Sequence, residues 1–85
     1  MIESNFGDYF AAAHVHEGLT EREKIFIGLA VTLSRGCEPW SYNRIRRALE
    51  AGVAKEDLDA VINLIAAINA GVVQAIARRG YEHIA

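Results

Sequence analysis

Apolar positions along this chain recur at helical spacing, and the pattern from end to end predicts helices only. Phe6, Tyr9 and Phe10 mark a short aromatic-rich helix from Phe6 to about His14, ending near Gly18, in the role of a lid or packing helix. Thr20-Glu21-Arg22-Glu23 is a capping box, in which the threonine hydroxyl accepts the amide three residues on and the glutamate reaches back. A second helix therefore starts at Thr20 and runs to about Arg35, and its middle, Ile25 to Leu33, is apolar on every face. A third helix runs from about Glu38 to Ala51 and stops at Gly52, a residue that tolerates the left-handed closing conformation. Lys55-Glu56-Asp57 opens a long last helix that carries Val61, Ile62, Leu64, Ile65, Ile68, Val72, Val73 and Ile76 out to Arg78-Arg79-Gly80. It too is apolar all round.

Two such helices in 85 residues cannot both be covered by one short helix and one amphipathic one, so other copies of the chain must supply the remaining surface. Ala66, Ala67, Ala70 and Gly71 would let a neighbouring helix approach closely, which suits a symmetric helix-to-helix interface. The expectation is a single all-α domain over residues 1–85, about four helices, that forms oligomers. Composition agrees: 52% hydrophobic residues with one proline and seven glycines leave no low-complexity segment. A net charge of −2 offers no field for a polyanion, and Arg44, Arg46 and Arg47 stand against nearby Glu38 and Glu50, so no nucleic-acid partner is expected. The longest apolar run, Ile25 to Leu33, is about half of a membrane span, so no membrane partner is expected either. One cysteine, and no charged-then-apolar leader at Met1-Ile2-Glu3-Ser4, make the reducing cytoplasm the default location.

The candidate chemistry lies in Ser34-Arg35-Gly36-Cys37-Glu38-Pro39-Trp40-Ser41-Tyr42-Asn43-Arg44. Glycine, an acid and proline surround the cysteine as a loop turns into a first helical turn, where unpaired amides and the helix dipole favour a thiolate. A resolving cysteine three residues on would complete a dithiol, but Trp40 stands there.

These segments, taken with Leu19-Thr20-Glu21-Arg22-Glu23-Lys24, Ala48-Leu49-Glu50-Ala51-Gly52-Val53, Glu56-Asp57-Leu58-Asp59 and Ile68-Asn69-Ala70-Gly71, resemble the carboxymuconolactone decarboxylase and alkylhydroperoxidase D family over about Leu19 to Ala77. The resemblance implies a helical domain assembled into trimers or hexamers. It also implies one of two chemistries: peroxide or disulfide reduction by Cys-x-x-Cys-x-x-x-His with a relay glutamate on the preceding helix, or decarboxylation of a cyclic lactone acid using the histidine. Carried over, the first cysteine falls on Cys37, the second on Trp40, the histidine on Arg44 and the relay glutamate on Ile25. The peroxiredoxin-type oxidoreductase expected of the family therefore meets a degenerate motif.

Each residue also has a plain structural reading. Cys37 is either a small buried hydrophobe or a lone peroxidatic thiol resolved by an external thiol reductant. Trp40 is expected to fill the pocket left by the small thiol rather than line it. Arg44 is expected to stack on Trp40 one turn earlier and to pair with an acid such as Glu38 or Glu17, with a small anionic ligand as the alternative. Asn43 joins them as a pocket residue. His14 and His16, two apart, point away from each other on a helix, so no metal is expected, and no cofactor either. Asn69 reads as a hydrogen-bonded core or interface amide. Two functional classes follow: a homo-oligomeric binding or structural protein, or a one-cysteine alkylhydroperoxidase, with a lactone decarboxylase as a weaker alternative.

Overall fold

The computed structural model describes residues 5–84. It is all-α: α1 (Phe6–Ala13), α2 (Glu21–Ser34), α3 (Glu38–Glu50) and α4 (Lys55–Ile84). Each boundary has a local cause. Asn5 Oδ1 accepts the Asp8 amide at 3.0 Å to open α1. At α2, Thr20 Oγ1 accepts from the Glu23 amide at 3.0 Å while the Thr20 amide donates to Glu23 Oε1 at 2.8 Å, completing the capping box. α2 closes by a pair of bonds, Gly36 N–H to Leu33 O at 3.1 Å and Cys37 N–H to Thr32 O at 2.9 Å, which requires the positive φ of 71° that Gly36 adopts. The same closure ends α3: Gly52, at φ 90°, donates to Leu49 O at 3.1 Å, and Val53 donates to Ala48 O at 3.0 Å.

α1 ends at Ala13 with His14 as its cap, as the spacing predicts, and the chain turns there as His14 Nδ1 donates to Phe10 O at 2.7 Å and His16 Nδ1 accepts the Gly18 amide at 2.9 Å. One boundary departs from expectation. α4 runs on through Gly80 to Ile84, since that glycine keeps a helical φ and costs the helix only about 1 kcal/mol.

α2 and α3 form a helical hairpin, and the first half of α4 packs against both. The core is small: Ile25 and Leu29 from α2, Ala48 from α3, Val53 from the connecting turn and Leu58 from α4, with Phe26, Leu33, Ile45, Ile62 and Ile65 half-buried around them. One polar relay ties the hairpin together. The buried Ser41 hydroxyl donates to Thr32 Oγ1 at 2.9 Å, and Thr32 Oγ1 donates to Leu29 O at 3.3 Å. Asn69 is hydrogen-bonded as expected, its Nδ2 donating to Ser34 Oγ at 2.8 Å and Ile65 O at 3.0 Å.

Most of the apolar surface of α4 remains uncovered in the single chain: Leu64, Ile68, Val72, Val73 and Ile76 are all exposed. The accessible surface is 6752 Å², against about 5,000 Å² for a compact monomer of this mass. The radius of gyration is 16.3 Å, against about 12 Å for a compact domain of this length. α4 also contains an 18-residue window of mean hydropathy 1.9, so by length and composition it is able to cross a membrane. Counting uninterrupted apolar runs hides this window, because Asn63, Asn69 and Gln74 break the run without adding charge.

Candidate functional site

The site forms on the α2–α3 hairpin, with side chains of α1 and His14 at its rim. Trp40, Asn43, Arg44 and Arg47 sit at positions i, i+3, i+4 and i+7 of α3 and so share one face. All four line a small cavity of about 100 Å³, which Ile25 and Lys24 of α2 close from the other side. Trp40 and Arg44 also line an adjoining groove of about 510 Å³, whose other walls include Phe6 and Phe10 of α1, Val31 of α2 and Cys37.

Cys37 is the N-cap residue of α3, half-buried, and its side chain makes no capping bond. The setting that sequence alone suggested is therefore present, with Pro39 in the first turn. Trp40 does not fill the site: it is 53% exposed and forms wall rather than plug. Arg44 holds it there: its guanidinium carbon stands over the indole ring, 5.2 Å from the centroid. The expected stack is thus formed.

The expected acid partner of Arg44 is not formed. Among the described residues neither Glu38 nor Glu17 makes an ion pair with it. Instead the Arg44 side chain crosses α2 at Gly28, where a methyl group would run into its Nε and lie 3.0 Å from its Cδ and Cζ atoms. Asn43 is turned to Arg46, accepting at Oδ1 a bond from Nη2 at 2.6 Å. Lys24 is largely sheltered, its side chain 14% exposed, and its one carboxylate neighbour, Glu21, lies 3.7 Å away on an exposed side chain. The cavity thus has Lys24, Arg44 and Arg47 around it against the single carboxylate of Glu21.

The histidines serve the backbone. His14 bonds Phe10 O and stacks on the Phe10 ring at 4.2 Å, while His16 accepts the Gly18 amide. Sequence reasoning missed Lys24, Arg47 and the groove wall from α1. The stripe Trp40, Asn43, Arg44, Arg47 carried a signal for Arg47; Lys24 joins only through the packing of α2 on α3.

A model of the carboxymuconolactone decarboxylase family matches residues 5–79. The fold is similar to the crystal structure of a structural-genomics protein from Methanobacterium thermoautotrophicum, with a TM-score of 0.80 and 29% identity over 89% of this chain and 87% of that one. Among curated proteins no significant match is found.

Proposed function

We propose that this chain, which belongs to the carboxymuconolactone decarboxylase family, is a self-associating binding member whose site has left dithiol chemistry behind. One observation carries the reading: Ile25, Trp40 and Arg44, the three positions where the family's redox motif would place glutamate, resolving cysteine and histidine, converge on one cavity. In a dithiol cycle one thiolate attacks a peroxide oxygen and becomes a sulfenic acid as alcohol or water leaves. The second thiolate then displaces water from that sulfur to form a disulfide. Trp40 has no sulfur for the second step. Arg44 stays protonated and cannot relay a proton, and the buried Ile25 side chain has no proton to give. What remains is a cation-lined pocket beside an apolar groove, suited to holding a molecule.

The surplus of roughly 1,700 Å² over a compact monomer, together with the exposed apolar residues of α4, supports self-association, since specific interfaces bury about 1,200–2,000 Å². A trimer or a hexamer built from dimers is the assembly we propose, in a reducing, cytoplasmic setting. A copy of the chain suits the α4 face better than lipid does, because the first half of α4 already belongs to the core of the domain through Leu58 and Ile62.

A lone-thiol peroxidase is the second reading, favoured by the half-buried Cys37 opening on the groove. Peroxide consumption with a dithiol and then with a monothiol reductant separates the two. No turnover with either supports the binding reading, and turnover lost in Cys37→Ser overturns it.

A further inference from the structure

We infer that the groove and the small cavity at its end form one binding site for an amphiphilic organic acid, a single carboxylate on an extended apolar body. This rests on the binding reading of the site, and not on self-association. The two spaces adjoin across Phe10, Trp40 and Arg44, which line both. The larger is walled mainly by Phe6, Phe10, Val31 and Trp40, with Cys37 and Arg35 at its side, and its volume of about 510 Å³ suits a hydrocarbon or aromatic body. The smaller, at about 100 Å³, has room for a head group only, and Lys24, Arg44 and Arg47 stand around it.

The chemistry of Arg44 selects the head. Trp40 covers one face of the guanidinium and Gly28 of α2 lies against its Nε, which leaves the two terminal Nη groups as the hydrogen-bonding surface. A planar carboxylate meets that edge with two parallel bonds, whereas a neutral hydroxyl accepts only singly and gains nothing from the charge. Lys24, sheltered by the fold, adds a second cation whose one neighbouring carboxylate among the described residues is the exposed Glu21. Apolar walls alone would take an alcohol as readily as an acid; the cations at one end are what make the acid the preferred guest.

Trp40 is the only tryptophan of the chain, so its fluorescence reports on the site directly. Decanoate, kept below its micellar concentration, should shift the emission saturably. Decanol should bind about tenfold more weakly or worse, and acetate, a head without a body, should leave the emission unchanged at the same concentrations. Decyl phosphate should also bind more weakly than decanoate. Arg44→Gln should lower decanoate affinity by roughly ten- to a hundredfold and decanol affinity by far less. Val31→Glu, at a half-exposed wall position that does not threaten folding, should weaken decanoate and decanol alike. Equal affinity for decanoate and decanol, a preference for the phosphate, or no saturable response in protein shown by circular dichroism to be folded overturns the proposal. Peroxide turnover or a monomer in light scattering would sink the proposed function without moving these titrations.

Discussion

Arg44 lies in the space that a side chain on Gly28 would occupy. A methyl at position 28 would come within 3.0 Å of the Arg44 Cδ and Cζ atoms, so this helix-interior glycine is explained by the site and not by α2. Gly28→Ala should gain about 0.5–1 kcal/mol of helix propensity and lose a comparable amount by pushing Arg44 aside, leaving the melting temperature nearly unchanged. The Trp40 emission should nevertheless shift, because its cation partner has moved. A large loss of stability with unchanged emission would show that position 28 matters to packing and not to Arg44.

Ser41 and Thr32 hold the hairpin that carries the site. Thr32→Val removes the acceptor of the buried Ser41 hydroxyl and should cost about 1–3 kcal/mol, whereas Ser41→Ala, which leaves Thr32 its bond to Leu29 O, should cost about 1 kcal/mol. The double variant should be little worse than Thr32→Val alone, as urea melts of the set will read. Full additivity would mean that the two hydroxyls do not act as one relay.

Much of this architecture was legible in local sequence. The capping box at Thr20 and Glu23 and the closing glycine at Gly52 all act within a few residues, and each appears where the pattern put it. Gly80 misled because a glycine permits a helix end without forcing one. The site was half legible. Trp40 and Arg44 stack because residues one turn apart on a helix must meet. The exposure of Trp40, the choice of Gly28 over an acid as the neighbour of Arg44, and the arrival of Lys24 all depend on how α2 crosses α3, which no spacing within one helix records.

The apolar face of α4 sets the expected state in solution. Light scattering should find a stable oligomer at micromolar concentration without detergent. Ala67→Glu places a charge among Leu64, Ile68 and Ala70, at a cost of several kcal/mol in an apolar interface, and should yield smaller species. A wild-type chain that is monomeric, or that needs detergent to stay in solution, would contradict the assembly.

Rebuilding the redox motif requires all of it. Trp40→Cys alone supplies a second sulfur but no proton relay, so dithiol-dependent peroxide turnover should appear only when Arg44→His and Ile25→Glu are added, because such groups act as a unit. Ile25 is 7% exposed, so the new glutamate must be partnered by the new histidine, and Ile25→Glu by itself should be markedly destabilised. Substantial activity in the single Trp40→Cys variant would show that the relay is not what the chain lacks.

Cys37 offers the sharpest test of how open the site is. Its side chain is half-buried, makes no capping bond and faces the groove, so iodoacetamide should modify it in the native protein, followed by mass spectrometry. Decanoate in the groove should slow that reaction, since the reagent and the apolar body compete for the same volume, and Arg44→Gln should abolish the protection at matched ligand concentration, measured against that variant's own rate without ligand. Protection that persists in Arg44→Gln would mean that the body and not the head anchors the ligand. Slow modification of the native protein that becomes fast on denaturation would instead mean that Cys37 is sealed in the assembled state. That result would leave the lone-thiol reading without an accessible sulfur, because peroxide and a reducing thiol must both reach it.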